Sequence, residues 1–158
     1  MDGYIEQVID VIAERIAIVP NVENVVLRSL NTVDANGTLG IAVDDWTPVE
    51  WEMTGDGVNE PTIQRYTLSI QHLVKWGKQE EGERIHREVA KAVRLMLYRD
   101  PPFQVSLRSL VVQEDSRKER TLRFNIIDQK YASNDAGSSG FLFISVTNFT
   151  VESEVTTF

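Results

Sequence analysis

Cysteine is absent from the 158-residue chain, which removes disulfides, thiolate nucleophiles and Cys-based zinc sites together. Histidine is nearly absent too: His72 and His86 are the only two, and their spacing matches no helical metal motif. Long apolar runs are missing. The longest candidate, Ile5 to Val19, is broken by Glu6, Asp10, Glu14 and Arg15, well short of the roughly 18 uninterrupted apolar residues of a membrane span. The opening Met1-Asp2-Gly3-Tyr4-Ile5-Glu6 has neither the basic start nor the apolar core of a signal peptide. These absences predict a soluble protein suited to a reducing compartment. Basic residues are in short supply, with 16 Lys and Arg against 24 Asp and Glu and a formal charge of −8. Such a balance argues against gripping nucleic acid through phosphate neutralisation.

The residues that are present do not assemble into a catalytic constellation. A nucleophile needs a neighbouring base; His72 falls on the apolar face of a strand and reads as a partly buried structural residue, and His86 lies among charges on a helix and reads as solvated. Asp44 and Asp45 are adjacent, so on a strand they point to opposite faces. Glu50 and Glu52 share a face opposite Val49, Trp51 and Met53, the pattern of a half-exposed strand. Gly55-Asp56-Gly57 lacks the third glycine and following helix of a dinucleotide loop, and Gly137-Ser138-Ser139-Gly140 precedes a strand and carries no lysine. No catalytic, cofactor or metal residue is assigned, and the chain reads as a non-enzyme without cofactors.

Periodicity supplies the architecture. Ile5, Val8, Ile9, Ile12 and Ile16 form one helical stripe, with Asp2 at the N-cap position and Pro20 ending the run. Val22 to Leu30 reads as a strand, Asn31 to Thr38 with Asn36-Gly37 as a turn, and Leu39 to Trp46 as a second strand. Pro48 inside extended chain marks a sheet edge or a bend. Residues 54–61 read as loop. From Ile63 to Lys75, Tyr66, Leu68, Ile70, His72 and Val74 share one face of a strand. A second amphipathic helix runs from Glu80 to Arg99, buries Ile85, Val89, Ala92, Val93, Met96 and Leu97, and is stopped by Asp100-Pro101-Pro102. Val105 to Gln113, Thr121 to Tyr131 and Phe141 to Val151 read as an antiparallel meander. One domain over residues 1–158 is expected, of α+β class: a mainly antiparallel sheet, two amphipathic helices on one face and a C-terminal β-meander.

Two features point to a surface for partners. Trp46, Trp51 and Trp76 lie near strand ends, where large aromatics serve either the core or an interface. Between the first two strands of the meander, six of seven consecutive residues are charged: Glu114, Asp115, Arg117, Lys118, Glu119 and Arg120. A run of this kind reads as a projecting hairpin tip, because burying it requires many paired charges. Its mixed signs suit a protein surface better than a DNA backbone.

The stretch Arg65-Tyr66-Thr67-Leu68-Ser69-Ile70-Gln71, through Trp76-Gly77 into Glu81-Gly82-Glu83-Arg84-Ile85-His86, resembles the tail terminator proteins of long-tailed bacteriophages. The resemblance continues through Val89-Ala90-Lys91-Ala92-Val93-Arg94-Leu95-Met96-Leu97 and Asp100-Pro101. Its residue-level part spans Ile63 to Pro102; the order of elements extends it over nearly the whole chain, although the meander from Val105 is longer than in the smallest members. These are packing patterns, so no catalytic residue carries over. The resemblance implies a virion protein that assembles as a cyclic homo-oligomer, commonly a hexamer. Such a ring caps the head-proximal end of the tail tube, ends tube polymerisation and offers a docking surface to the head. Implied partners are the tail tube protein, the head–tail connector or stopper protein, and DNA that passes through without sequence-specific binding. Assembly would take place in the host cytoplasm and involve no membrane. A different head–tail joining or tube-related protein, and a small-ligand-binding or enzymatic α+β domain, are the competing readings.

Overall fold

The stripe of isoleucine and valine near the N-terminus folds as helix α1, Tyr4–Ile16, and buries Tyr4, Val8, Ile9, Ile12 and Ile16. β-Branched side chains lower helix propensity, so this helix depends on the sheet beneath it. The computed structural model describes residues 3–31, 33–51, 53, 54, 57, 58, 60–135 and 140–157. The expected Asp2 cap and residues 136–139 of the soft turn lie outside them. Gly3 takes the N-cap position without a side-chain bond.

The remaining elements, in order, are β1 (Asn24–Val26), β2 (Thr38–Glu50), β3 (Met53–Thr54), β4 (Gly57–Val58), β5 (Ile63–Trp76), α2 (Gln79–Arg99), α3 (Pro101–Arg108), β6 (Val111–Glu114), β7 (Arg117–Asp135) and β8 (Phe141–Thr157). Six strands form one sheet in the order β1-β2-β5-β8-β7-β6, and β3 and β4 form a separate two-stranded ladder whose Thr54, Gly57 and Val58 fall in the stretch read as loop. All ladders of the large sheet are antiparallel except β1–β2. The fold class is α+β, as the periodicity predicts.

All three helices pack on one face of the sheet. There Leu39 and Ile41 of β2, Leu68 and Ile70 of β5, and Phe149 and Val151 of β8 join the helix stripes and Phe103 and Leu107 of α3 in one core. Opposite partners in an antiparallel ladder share a face, so the register Ile41↔Ile70↔Thr147 fixes which residues look at the helices.

Three local expectations are corrected. Val22 to Leu30 is not a strand of that length: only Asn24–Val26 pairs, and it pairs parallel to β2, Asn24↔Thr38 to Val26↔Gly40. The chain after it crosses the outer face of the sheet, where the Leu30 amide donates to Gln71 Oε1 at 2.9 Å and Lys75 Nζ to the Asp34 carbonyl at 2.7 Å. Gly40 permits that crossing, because a Cβ there would stand 2.5 Å from the Arg28 carbonyl. Second, Val105 does not open a strand. Pro101–Arg108 is helical, and Asp100, read as a stop, is also a start: its carboxylate accepts from the Phe103 amide at 3.2 Å and the two prolines occupy the first helical positions. Third, Pro48 does not interrupt β2, which continues to Glu50 with a register shift between Pro48 and Glu50; the sheet edge it marks is present.

Candidate assembly surface

The charged run resolves into two kinds of residue. Glu114 ends β6, Asp115 and Ser116 make a two-residue turn, and Arg117 already pairs with Glu114 across the hairpin. From Arg117 onward the chain is inside the sheet, facing β8 from Arg117↔Thr157 to Arg120↔Glu154. The seven residues therefore do not form a projecting loop. Period-two alternation turns Glu119 inward, where it is 2% exposed. Its Oε2 accepts from Ser153 Oγ at 2.5 Å, Gln64 Nε2 at 2.7 Å and the Tyr66 hydroxyl at 3.4 Å. Its Oε1 accepts from Arg117 at 2.9 Å. A buried carboxylate is tolerable only when it is paired and hydrogen-bonded on this scale.

Arg117 is held as well. Its guanidinium grips Glu60 through two bonds of 2.5 and 3.0 Å, and Glu60 with Glu119 raises its pKa against the opposing effect of burial. Arg120 reaches Glu154 at 2.9 Å. The outward charges of the run are thus Glu114, Asp115 and Arg120, with Lys118 half-buried among them.

The network of Glu119 extends under α1. Trp46 Nε1 donates to Gln64 Oε1 at 2.8 Å, and the Tyr4 hydroxyl stands 2.6 Å from Thr121 Oγ1. Burial, with the nearby Glu119 charge, pushes the Tyr4 and Tyr66 phenols up. On the opposite, outer face, Arg65 and Arg123 both hold Glu152. Burial alone would raise Glu152; the two arginines outweigh it and keep the carboxyl below its usual range.

His86 is not solvated. It lies on the buried stripe of α2, 2% exposed, between Tyr131 and Phe143. His72 is 1% exposed, its two ring nitrogens have no side-chain partner, and burial with the neighbouring His86 depresses its pKa to about 4. Among the described residues, no group of three or more His, Asp or Glu side chains is placed to hold a metal ion. No helix among the described residues is long and apolar enough to cross a membrane.

No family model matches the chain, and no curated protein is significantly similar to it.

The sheet edges are the largest feature the periodicity did not expose. β1 covers β2 only along Thr38–Gly40, and β6 covers β7 only along Arg117–Arg120. Among the described residues, β2 from Ile41 to Glu50 and β7 from Leu122 to Asp135 have no strand on their outer sides. Pro48 was the one sequence signal, since it is tolerated where no ladder partner needs its missing N–H. None of the three tryptophans belongs to the core cluster; Trp46 and Trp51 are 45% and 48% exposed.

Proposed function

We propose that this chain is a structural virion protein of a long-tailed phage, forming a six-membered ring that caps the head-proximal end of the tail tube. One observation supports the reading above the others. The sheet ends on both sides in long strands left largely unpaired, and soluble monomers usually blunt such edges. A subunit of a closed ring instead uses them against its neighbours. The residue pattern of Ile63 to Pro102 adds the resemblance, and the acidic balance suits a ring through which DNA must slide and not stick.

In this reading the tip Glu114, Asp115 and Lys118, at one end of the sheet, meets the adjoining component along the tail axis. The inward Glu119 and the part-buried Arg117 brace it, and Arg120 pairs with Glu154 on the other face. The test is a phage lysate lacking this chain. Tubes of uncontrolled length without heads are expected, and adding the purified protein should restore joining. Tails of normal length and full infectivity without the chain would overturn the proposal.

A further inference from the structure

We infer that the open edge of β2 in one copy adds to the open edge of β7 in the next, with Val43 and Trp46 seated in the groove that α2 and α3 form beside β7. The inference rests on the ring reading for its setting and on the strand edges for its geometry.

The two edges match in level. The register runs Val43↔Leu68↔Phe149↔Ile126 and Trp46↔Tyr66↔Val151↔Phe124. β1 blocks β2 only at the level of His72, and β6 blocks β7 only near Glu154, so the short strands sit at opposite ends. Both edges are therefore open over the same middle stretch. The direction also fits. β2, β5, β8 and β7 alternate, so β2 and β7 run oppositely. A copy rotated about an axis along the strands places its β2 antiparallel to β7 and continues the alternation of the sheet.

Side chains would follow the backbone. Val43 and Trp46 stand on the helix side of β2, 42% and 45% exposed, and would face the same side as Phe124 and Ile126. Those two residues line a groove of about 450 Å³ with Leu97, Tyr98, Leu122 and Arg108. The Arg108 guanidinium lies 5.7 Å from the Phe124 ring centroid. An exposed tryptophan brought into a groove of mixed lining, with Leu97, Phe124 and Ile126 on its walls and Arg108 at its rim, has the composition of an interface hot spot.

Charge selects this pairing over a symmetric one. The open stretch of β2 carries Asp44, Asp45 and Glu50 and no base. The groove is rimmed by Arg108 and Arg123, while Asp128 is engaged by Asn148 and Glu152 by Arg65 and Arg123. Pairing β2 with β2 sets acid against acid, and pairing β7 with β7 sets arginine against arginine. Only the unlike pair is complementary. An unlike pair is heterologous, so it propagates into a ring or a filament and does not stop at a dimer.

The absence of cysteine simplifies the test, and because Thr47 and Asn125 of one chain line the same hollow, the mixture of single variants, which cannot bridge within a chain, is its decisive arm. Thr47 and Asn125 are exposed and both lie on the outer face. Cross-linking with a short bis-maleimide is run in lysates that assemble tails. The double variant T47C/N125C should give a ladder of oligomers. A mixture of the two single variants should stop at dimers, and each single variant alone should stay unlinked. Adding Val43→Arg to the double variant should cut the ladder about tenfold, with thermal melting of the isolated chain showing that it still folds. Cross-linking of T47C or N125C alone as strong as the double variant would mean symmetric pairing and overturn the inference. Rings seen on tails by electron microscopy without a ladder would overturn it too, while leaving the ring reading standing. A ladder without rings on tails would do the reverse. Neither ladder nor rings would sink both.

Discussion

The Gln64 side-chain amide donates to Glu119 at 2.7 Å, and both residues are buried, 3% and 2% exposed. This bond ties the first residues of β5 to the first residues of β7 across the intervening β8. It also fixes the far end of Trp46, which donates to the other terminus of the same amide.

Glu119 is therefore expected to be a stability residue. Glu119→Ala leaves Gln64, Ser153 and Tyr66 without their acceptor and should cost about 3 kcal/mol. Urea unfolding followed by circular dichroism measures it; a loss below about 0.5 kcal/mol, the range of ordinary surface substitutions, would show that the network does not hold the sheet.

Arg117 and Lys118, neighbours in the charged run, should separate on reversal. Arg117→Glu faces Glu60 and Glu119 with a third carboxylate and should lower the melting temperature of the isolated chain. Lys118→Glu, which breaks no ion pair among those observed, should leave melting unchanged and weaken joining of heads to tails in a salt-dependent way. Equal effects of the two reversals on melting would contradict the inward placement of Arg117.

His72 makes the fold acid-sensitive in a definite window. Its folded pKa of about 4 lies below the ordinary histidine value of 6.5, so the unfolded chain takes up the proton first as pH falls. Stability is complete above pH 6.5 and drains away between 6.5 and 4, by on the order of 3 kcal/mol. His86, whose pKa burial also depresses, adds in the same direction. The carboxylates held low by Arg28, Arg15 and Arg123, namely Asp34, Asp100 and Glu152, lose their contribution only at still lower pH. His72→Leu should flatten the profile of melting temperature between pH 6.5 and 5. An unchanged slope would refute the assignment.

Asp100 serves two elements at once. It caps α3 through the Phe103 amide and holds Arg15 of α1 through bonds of 2.6 and 3.0 Å. Asp100→Ala should destabilise by about 1 kcal/mol or somewhat more through the lost cap, and Asp100→Asn by less because the amide oxygen still caps. Denaturation midpoints of the two variants should fall in that order; the reverse order would deny the cap its role.

The sequence made α1, α2 and β5 legible because each carries one unbroken apolar period. It misled where two readings share a pattern. Asp-Pro-Pro ends one helix and begins the next with equal economy, and Val105, Leu107 and Val111 can be read as strand if Phe103 and Leu107 are not taken as a helical pair. Glu119 was hidden by its charged neighbours, although alternation with Arg117 and Thr121 already placed it on the inner face. His86 falls four residues after Gly82 and three before Val89, on the stripe that α2 buries; that spacing was available and the charges around it obscured it. The open edges were only hinted at by Pro48, since strand order is a property of the whole chain and no local pattern encodes which strands end a sheet.

Strand order also governs when this protein can fold. β8 is the last strand in sequence, yet it sits between β5 and β7 and pairs with both along its length, Ile63↔Glu154 to Trp76↔Phe141 on one side and Arg117↔Thr157 to Asp135↔Phe141 on the other. A nascent chain that has emerged only as far as Gly140 has its helices and β5 but no middle to its sheet, leaving Leu68 and Ile70 with an unpaired neighbour. Closing such distant contacts is slow, in the millisecond-to-second range typical of sheet-rich domains, and the waiting chain exposes strand edges that invite aggregation. Emergence of residues 141–157 from the ribosome is therefore the event that completes the sheet, and chaperone contact should be concentrated in the interval before it.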